Sequence, residues 1–410
     1  MIELDYKNAL KDLSTPASTI KKFLKRIESR KQGFYEILDD KKTVKKVLKY
    51  ANSVKGKYKS IVVLGIGGSA LGTICLQQSL KHLYENELSS DSPKLYVIDN
   101  IDPALILELE DVIDYKKTLF IIVTKSGSTP ETLAQYSYYR NKTDEKKLDP
   151  KKHFVFITDP KNGDLRQMAT TQKIPSFEIP QNVGGRFSVL TPVGLLPAAL
   201  IGINIEKLIK GALTMRKQFL NENFSKNLPY QIATIQYLLS KKGKNINVMI
   251  PYAQKLIRFA DWYRQLLAES IGKKLDLNGK QVHSGITPIN ALGVTDQHSQ
   301  LQLYNEGPND KFFIFIEVKK LAKELKVPDQ KFSFNKLLKV EKDATAMALT
   351  QNNRPNITLK IDEINEQTLG ELFFLFQSSI AFLGEFFNIN TYDQPGVELS
   401  KKLTKAALDK

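Results

Sequence analysis

Residues 60–72 read SIVVLGIGGSALG, and that stretch decides the fold. Ile61, Val62 and Val63 are consecutive and β-branched, which suits a strand buried on both faces. The run breaks at Gly65. Gly65, Gly67 and Gly68 then lead into a helical pattern from Ala70 to about Tyr84. A strand that ends in a glycine-rich turn and feeds a helix opens a parallel βαβ unit. The texture recurs downstream: Lys94–Ile98, Thr118–Val123, His153–Thr158 and Ser176–Ile179 are apolar runs separated by helical stretches. A long helical passage from Leu190 to about Lys241 leads into a second series. Its strands are Asn245–Ile250, Lys311–Val318 and Asn356–Ile361, and its helices are Gln254–Ile271 and roughly 366–387. The expected fold class is α/β: two α/β sandwiches in tandem on parallel sheets, with helical extensions at both ends. The expected organisation is a helical N-terminal extension over 1–50, a first α/β domain over 51–205, a second over 206–387, and a C-terminal loop and helix over 388–410.

Composition narrows the class. The chain has 410 residues, 42% hydrophobic and 25% charged, as an ordinary globular protein does. A single cysteine, Cys75, excludes an internal disulfide and fits a reducing compartment. The opening MIELDYKNAL carries Glu3 and Asp5 and has no apolar core of a signal peptide. The two most apolar stretches, 189–205 and 369–387, are interrupted by Pro192 and Pro197 and by Glu371, Gln377 and Glu385. They are expected to be buried helices, not membrane spans, and the expected location is cytoplasmic. The formal net charge is +16. The lysines are scattered along the chain, with no arginine-rich arm, zinc-ligand spacing or aromatic stacking motif. A solvated lysine surface that attracts small anions explains the charge better than nucleic-acid binding.

Several loops could carry chemistry. GIGGSALG (65–72) opens a helix with free backbone N–H groups, and Gly65, Gly67 and Ala70 also satisfy a dinucleotide pattern. TKSGST (124–129) follows a strand and precedes Pro130 at a helix start. It gathers hydroxyls, a lysine and a helix N-terminus, as a phosphate monoester requires, although an N-capping cluster reads the same way. In NVGGRFSVLTPVG (182–194), Arg186 follows Gly184 and Gly185. It offers a planar fork of donors to a phosphate or an oxyanion, or pairs with a carboxylate in a surface turn. Glu269 sits late on the stripe Leu256, Phe259, Tyr263, Leu266. In a pocket it could take a carbon-bound proton; otherwise it faces solvent. His298 lies in a polar loop, catalytic or structural. DQPGVELSKK (393–402) turns into a helix start carrying Glu398 and Lys401.

Taken together and in order, these segments resemble the phosphoglucose isomerase family. NVGGRFSVLTPVG and GEFFNINTYDQPGVELSKK (384–402) are similar to its two signatures, and the resemblance spans roughly residues 55 to 402. It implies two sugar-isomerase (SIS) domains and the aldose–ketose interconversion of glucose 6-phosphate and fructose 6-phosphate. It assigns the proton transfer between C2 and C1 to Glu269, stabilisation of the cis-enediolate to Arg186, and ring opening to His298 with Lys401 at the ring oxygen. Thr124, Lys125, Ser126 and Thr129 would hold the phosphate, with Gly68, Ser69, Gly185 and Gln394 at the sugar. Such chemistry needs a carboxylate base, an oxyanion stabiliser and a ring-opening group, with no metal or redox cofactor. The resemblance also implies a homodimer with a shared active site, the histidine reaching across from the partner subunit. Gly127 and Pro395 stand where the commonest animal members carry aromatics.

Three other readings compete. A sugar-phosphate sensor would keep TKSGST and could dispense with Glu269, Arg186 and Lys401. An NAD-dependent oxidoreductase on Gly65–Ala70 leaves the second phosphate loop unexplained. A nucleic-acid binder rests on charge alone.

Overall fold

The computed structural model describes all residues except 1, 11, 12, 14–16, 89–91, 322, 409 and 410. The chain opens with a short strand, β1 (Glu3–Asp5), and then builds two five-stranded sheets. The first comprises β2 (Ser60–Leu64), β3 (Lys94–Ile98), β4 (Thr118–Val123), β5 (Phe154–Thr158) and β6 (Ser176–Glu178). All are parallel, in the order β3-β2-β4-β5-β6. The second half begins with β7 (Ile246–Pro251). β8 (Lys273–Leu275) and β9 (Gln281–Ser284) form a separate antiparallel hairpin. β10 (Thr287–Asn290), β11 (Lys311–Val318) and β12 (Asn356–Ile361) complete the second sheet, in the order β1-β12-β11-β7-β10. Only β1 runs antiparallel to its neighbour there.

Period-two alternation explains how both faces of each sheet are covered. Ile61, Val63, Ile121 and Val155 point into one core, whereas Val62, Leu64, Ile122 and Phe156 point into another on the outer face. In the second sheet Ile314 and Ile316 join the first of these cores, and Phe313 and Phe315 fill a third. The central core is thus common to both sheets, with helices layered between them.

At its centre lies the helix Glu366–Phe387, in which Thr368 through Glu385 are all buried. Length and composition would let it cross a membrane, but 94% of its apolar window is buried inside the fold. Two of its buried polar side chains reach partners elsewhere in the chain. Glu385 pairs with Arg30 at 2.9 Å, and Gln377 donates to the Phe187 carbonyl at 3.0 Å. The helix Ile205–Phe219 crosses it closely: a Cβ on Gly370 would sit 2.0 Å from the Leu208 carbonyl oxygen.

Two expectations need correction. The first fifty residues are not purely helical, since β1 leaves them to pair with β12. The passage 190–241 is three helices, Pro192–Leu200, Ile205–Phe219 and Leu228–Lys241, not one. Asn204 and Asn227 start the second and third, accepting from the N–H groups of Lys207 and Tyr230. A smaller difference falls at His153, which closes the short helix Pro150–His153 instead of opening β5.

Candidate active site

In the first sheet the chain passes from β2 to β3 on one side and then returns to β4 on the other. The β2/β4 boundary is therefore a topological switch point, where the loops diverge and leave a crevice at the carboxyl ends of the strands. The loops that follow β2 and β4 are GIGGS and TKSGST. Between them, the helix Ile257–Ile271 and the loop at 391–394 opens a cleft of about 480 Å³.

The two glycine-bearing segments touch each other. A Cβ on Gly68 would lie 2.3 Å from the Gly185 carbonyl carbon, so only glycine permits this approach of the two backbones. A Cβ on Gly185 would meet nothing within 4 Å. Gly185 therefore presents bare backbone to the cleft.

On the opposite wall three hydroxyls converge. Thr124 Oγ1 is 2.6 Å from Thr129 Oγ1, and Ser126 Oγ is 3.3 Å from each. Thr129 occupies the cap position of the helix Pro130–Glu145, with Pro130 in its first turn, yet its side chain makes no capping bond. The hydroxyl is turned into the cluster and caps no helix N–H. Lys125 donates to the Gln181 carbonyl at 2.9 Å. Burial lowers its pKa, with Asp159 opposing. Burial works to raise the Asp159 pKa, but hydrogen bonds from the N–H groups of Lys161 and Asn162 and from Gln181, with the nearby Lys125, leave it below the ordinary value.

Arg186 is buried, 4% exposed, which excludes a surface turn. Its Nε donates to Ser270 Oγ at 2.7 Å, Nη1 to Gln394 Oε1 at 2.8 Å, and Nη2 to the carbonyls of Thr391 and Asp393. Burial lowers its pKa, while Glu269, Asp393 and Tyr392 counter the shift. Nη1 also lies 3.6 Å from the Glu269 carboxylate, whose side chain is 32% exposed toward the cleft. One turn earlier on the same helix, Gln265 donates to Glu269 Oε1 at 3.1 Å. The cleft therefore places a carboxylate held by an amide and a guanidinium opposite a cluster of hydroxyls beside a lysine. A helix N-terminus stands behind that cluster. This arrangement can bind an anion at one end of a small molecule and move a proton at the other.

Gly68, Ser69, Thr124, Lys125, Ser126, Thr129, Gly185, Arg186, Glu269, Gln394 and Lys401 all line this one cleft. Lys401 stands exposed at the rim, 2.8 Å from Glu398. His298 is not among the lining residues; it is exposed at the end of the turn Thr295–His298. Gln265, Asp159 and Thr132 also line the cleft, and sequence reasoning misses them. The spacing of Gln265, four residues before Glu269 on one helix face, is the available signal.

The family model described as phosphoglucose isomerase matches residues 36–338 and 335–410. A glucose-6-phosphate isomerase of Carboxydothermus hydrogenoformans is 47% identical over 381 residues, 89% of this chain and 82% of that protein. Among solved structures, a hypothetical protein from Thermus thermophilus superposes with a TM-score of 0.91 at 31% identity, covering 100% of both chains. A glucose-6-phosphate isomerase from Chlamydia trachomatis shares the fold, with a TM-score of 0.81 at 24% identity over 97% of this chain and 76% of that one.

Proposed function

The chain belongs to the phosphoglucose isomerase family, and on that premise we propose that it interconverts glucose 6-phosphate and fructose 6-phosphate, a step shared by glycolysis and gluconeogenesis. One observation carries the reading: the Glu269 carboxylate and the Arg186 guanidinium stand 3.6 Å apart in the cleft that also holds the hydroxyl cluster. The phosphate lodges among Thr124, Ser126 and Thr129 beside Lys125, where hydroxyl donors, an ammonium and a helix N-terminus favour a dianion.

With the phosphate fixed there, the other end of the open sugar meets Glu269. The carboxylate removes the proton from C2 and returns it to C1. Charge builds on the oxygens of the enediolate between these steps, and Arg186, fixed by Ser270, Gln394 and the loop carbonyls, stabilises it without reorganising. Gln265 holds one carboxylate oxygen so that the other faces the carbon acid. Gly68, Ser69, Gly185 and Gln394 orient the sugar, and Lys401 serves the ring oxygen.

Ring opening is given to His298. Following the family resemblance, it acts in the cleft of a second copy, in a homodimer with shared sites working in the cytoplasm; its position outside the cleft of its own chain is compatible with that role. The division into two SIS domains, 51–205 and 206–387, belongs to the same reading.

The test is turnover of fructose 6-phosphate without added metal or nucleotide, followed through glucose 6-phosphate by a coupled dehydrogenase. Glu269→Gln keeps the shape and the bond to Gln265 but removes the base. It is expected to lower kcat by about three orders of magnitude or more with little change in KM. Near-normal turnover in that variant would refute the assignment of the base. Wild-type binding without turnover would instead favour the sensor.

A further inference from the structure

Lys273 follows the base-bearing helix by two residues, and its side chain is 5% exposed. It does not line the cleft, and no step described so far uses it. Its ammonium donates to the main-chain carbonyls of Glu269 at 2.6 Å and Asp393 at 2.7 Å, and lies 3.6 Å from the Asp393 carboxylate. A buried ammonium is costly unless its protons are satisfied. Two of them here go to carbonyls from segments far apart in the chain, Asp393 lying 120 residues beyond Lys273. One is the last turn of the helix that carries Glu269, and the other is the loop that carries Gln394.

Arg186 donates to the same Asp393 carbonyl at 3.1 Å. Two cations therefore converge on one loop oxygen although they repel. After burial, Arg186 is the next largest influence pulling the Lys273 pKa down. Beyond the loop, the helix Glu398–Leu408 has no residue buried against its own chain, so within the chain it is the loop that ties it to the cleft. Lys401 therefore inherits its place at the cleft rim from the loop.

We propose that Lys273 is a positioning residue for the isomerisation: it ties the Thr391–Gln394 loop to the end of the helix bearing Glu269, and so sets Arg186, Gln394 and Lys401 relative to the base. The proposal rests on the isomerase reading. It predicts a split between kinetic constants, because the phosphate loop lies on the other wall of the cleft and Lys273 does not touch it.

The experiment combines steady-state kinetics on fructose 6-phosphate with hydrogen exchange of the full chain, comparing Lys273→Met, Lys273→Arg and wild type. The Met variant is expected to lose kcat by about tenfold to a hundredfold with KM within about twofold. Exchange should rise in 391–408 while 118–135 and 257–271 stay as protected as in wild type. The Arg variant, retaining charge and donors, should recover most of the kcat. If the Met variant does not fold, Lys273→Gln, which keeps a donor, carries the same comparison. A kcat within about twofold of wild type overturns the proposal, as does a loss accompanied by a rise in exchange throughout the chain. A wild-type protein without turnover would defeat the isomerase reading, and the exchange data alone would still decide whether Lys273 anchors the loop.

Discussion

Arg186 shows how much chemistry one residue concentrates, and why lysine cannot replace it. Its fork reaches a serine, an amide and two carbonyls while facing Glu269. A lysine can satisfy no more than part of that set and brings a point charge in place of a plane. Arg186→Lys should lower kcat by about 10²- to 10³-fold, measured in the coupled assay. Lys125 makes a prediction about pH. Burial depresses its pKa, so as pH rises the ammonium is lost earlier than for a free lysine, which titrates at about 10.4. KM for the sugar phosphate should therefore climb on the alkaline side before ordinary lysines titrate, and Lys125→Arg should flatten that climb. Most residues of the cleft are legible in the sequence because they lie in contiguous motifs that spell a loop and a helix start. Gln265 and Lys273 are not. The role of Gln265 emerges only once the helix brings its amide onto Glu269, and the partners of Lys273 are backbone carbonyls that carry no residue-specific signal. His298, which does not line the cleft of its own chain, has no local motif that gives its place; only the family resemblance suggests one.

Strong apolar runs set the elements that can be read correctly. Lys94–Ile98, Thr118–Val123, Lys311–Val318, Asn356–Ile361 and Glu366–Phe387 have the bounds expected of them. Errors gather where turn chemistry outweighs hydrophobicity. Asn204 and Asn227 are N-caps that break one apparent helix into three. The turn 276–280 likewise joins β8 to β9 through Gly279, with Asp276 accepting from the Asn278 and Lys280 N–H groups. The close crossing at Gly370 gives an element-scale prediction. In an exposed helix, glycine to alanine stabilises by about 1 kcal/mol. Here the added carbon would lie 2.0 Å from the Leu208 carbonyl oxygen, so Gly370→Ala must push two helices apart and should lower Tm despite the better helix propensity.

At the scale of the whole molecule, the proposed boundary at 205/206 divides the first sheet from every strand of the second except β1, and the two sheets nevertheless share one core. The single tryptophan, Trp262, packs edge-on against Phe373 at 4.7 Å inside that core. Its fluorescence should therefore follow the loss of both halves. Thermal melts by tryptophan emission and by far-UV circular dichroism are expected to superimpose, and two separated transitions would show that the halves unfold independently. Phe374, fully buried on the central helix, offers the matching perturbation: Phe374→Ala should cost about 3–5 kcal/mol and shift both signals together. The strand β1 has a consequence for biosynthesis. Glu3 pairs with Lys360, so on the ribosome this strand emerges roughly 350 residues ahead of its partner, a contact of very high sequence separation. Until it docks, the edge of β12 offers open hydrogen-bonding groups to any neighbouring chain. Proteins lacking residues 3–5 should therefore be lost mainly to aggregation during expression, even though those residues lie far from the cleft.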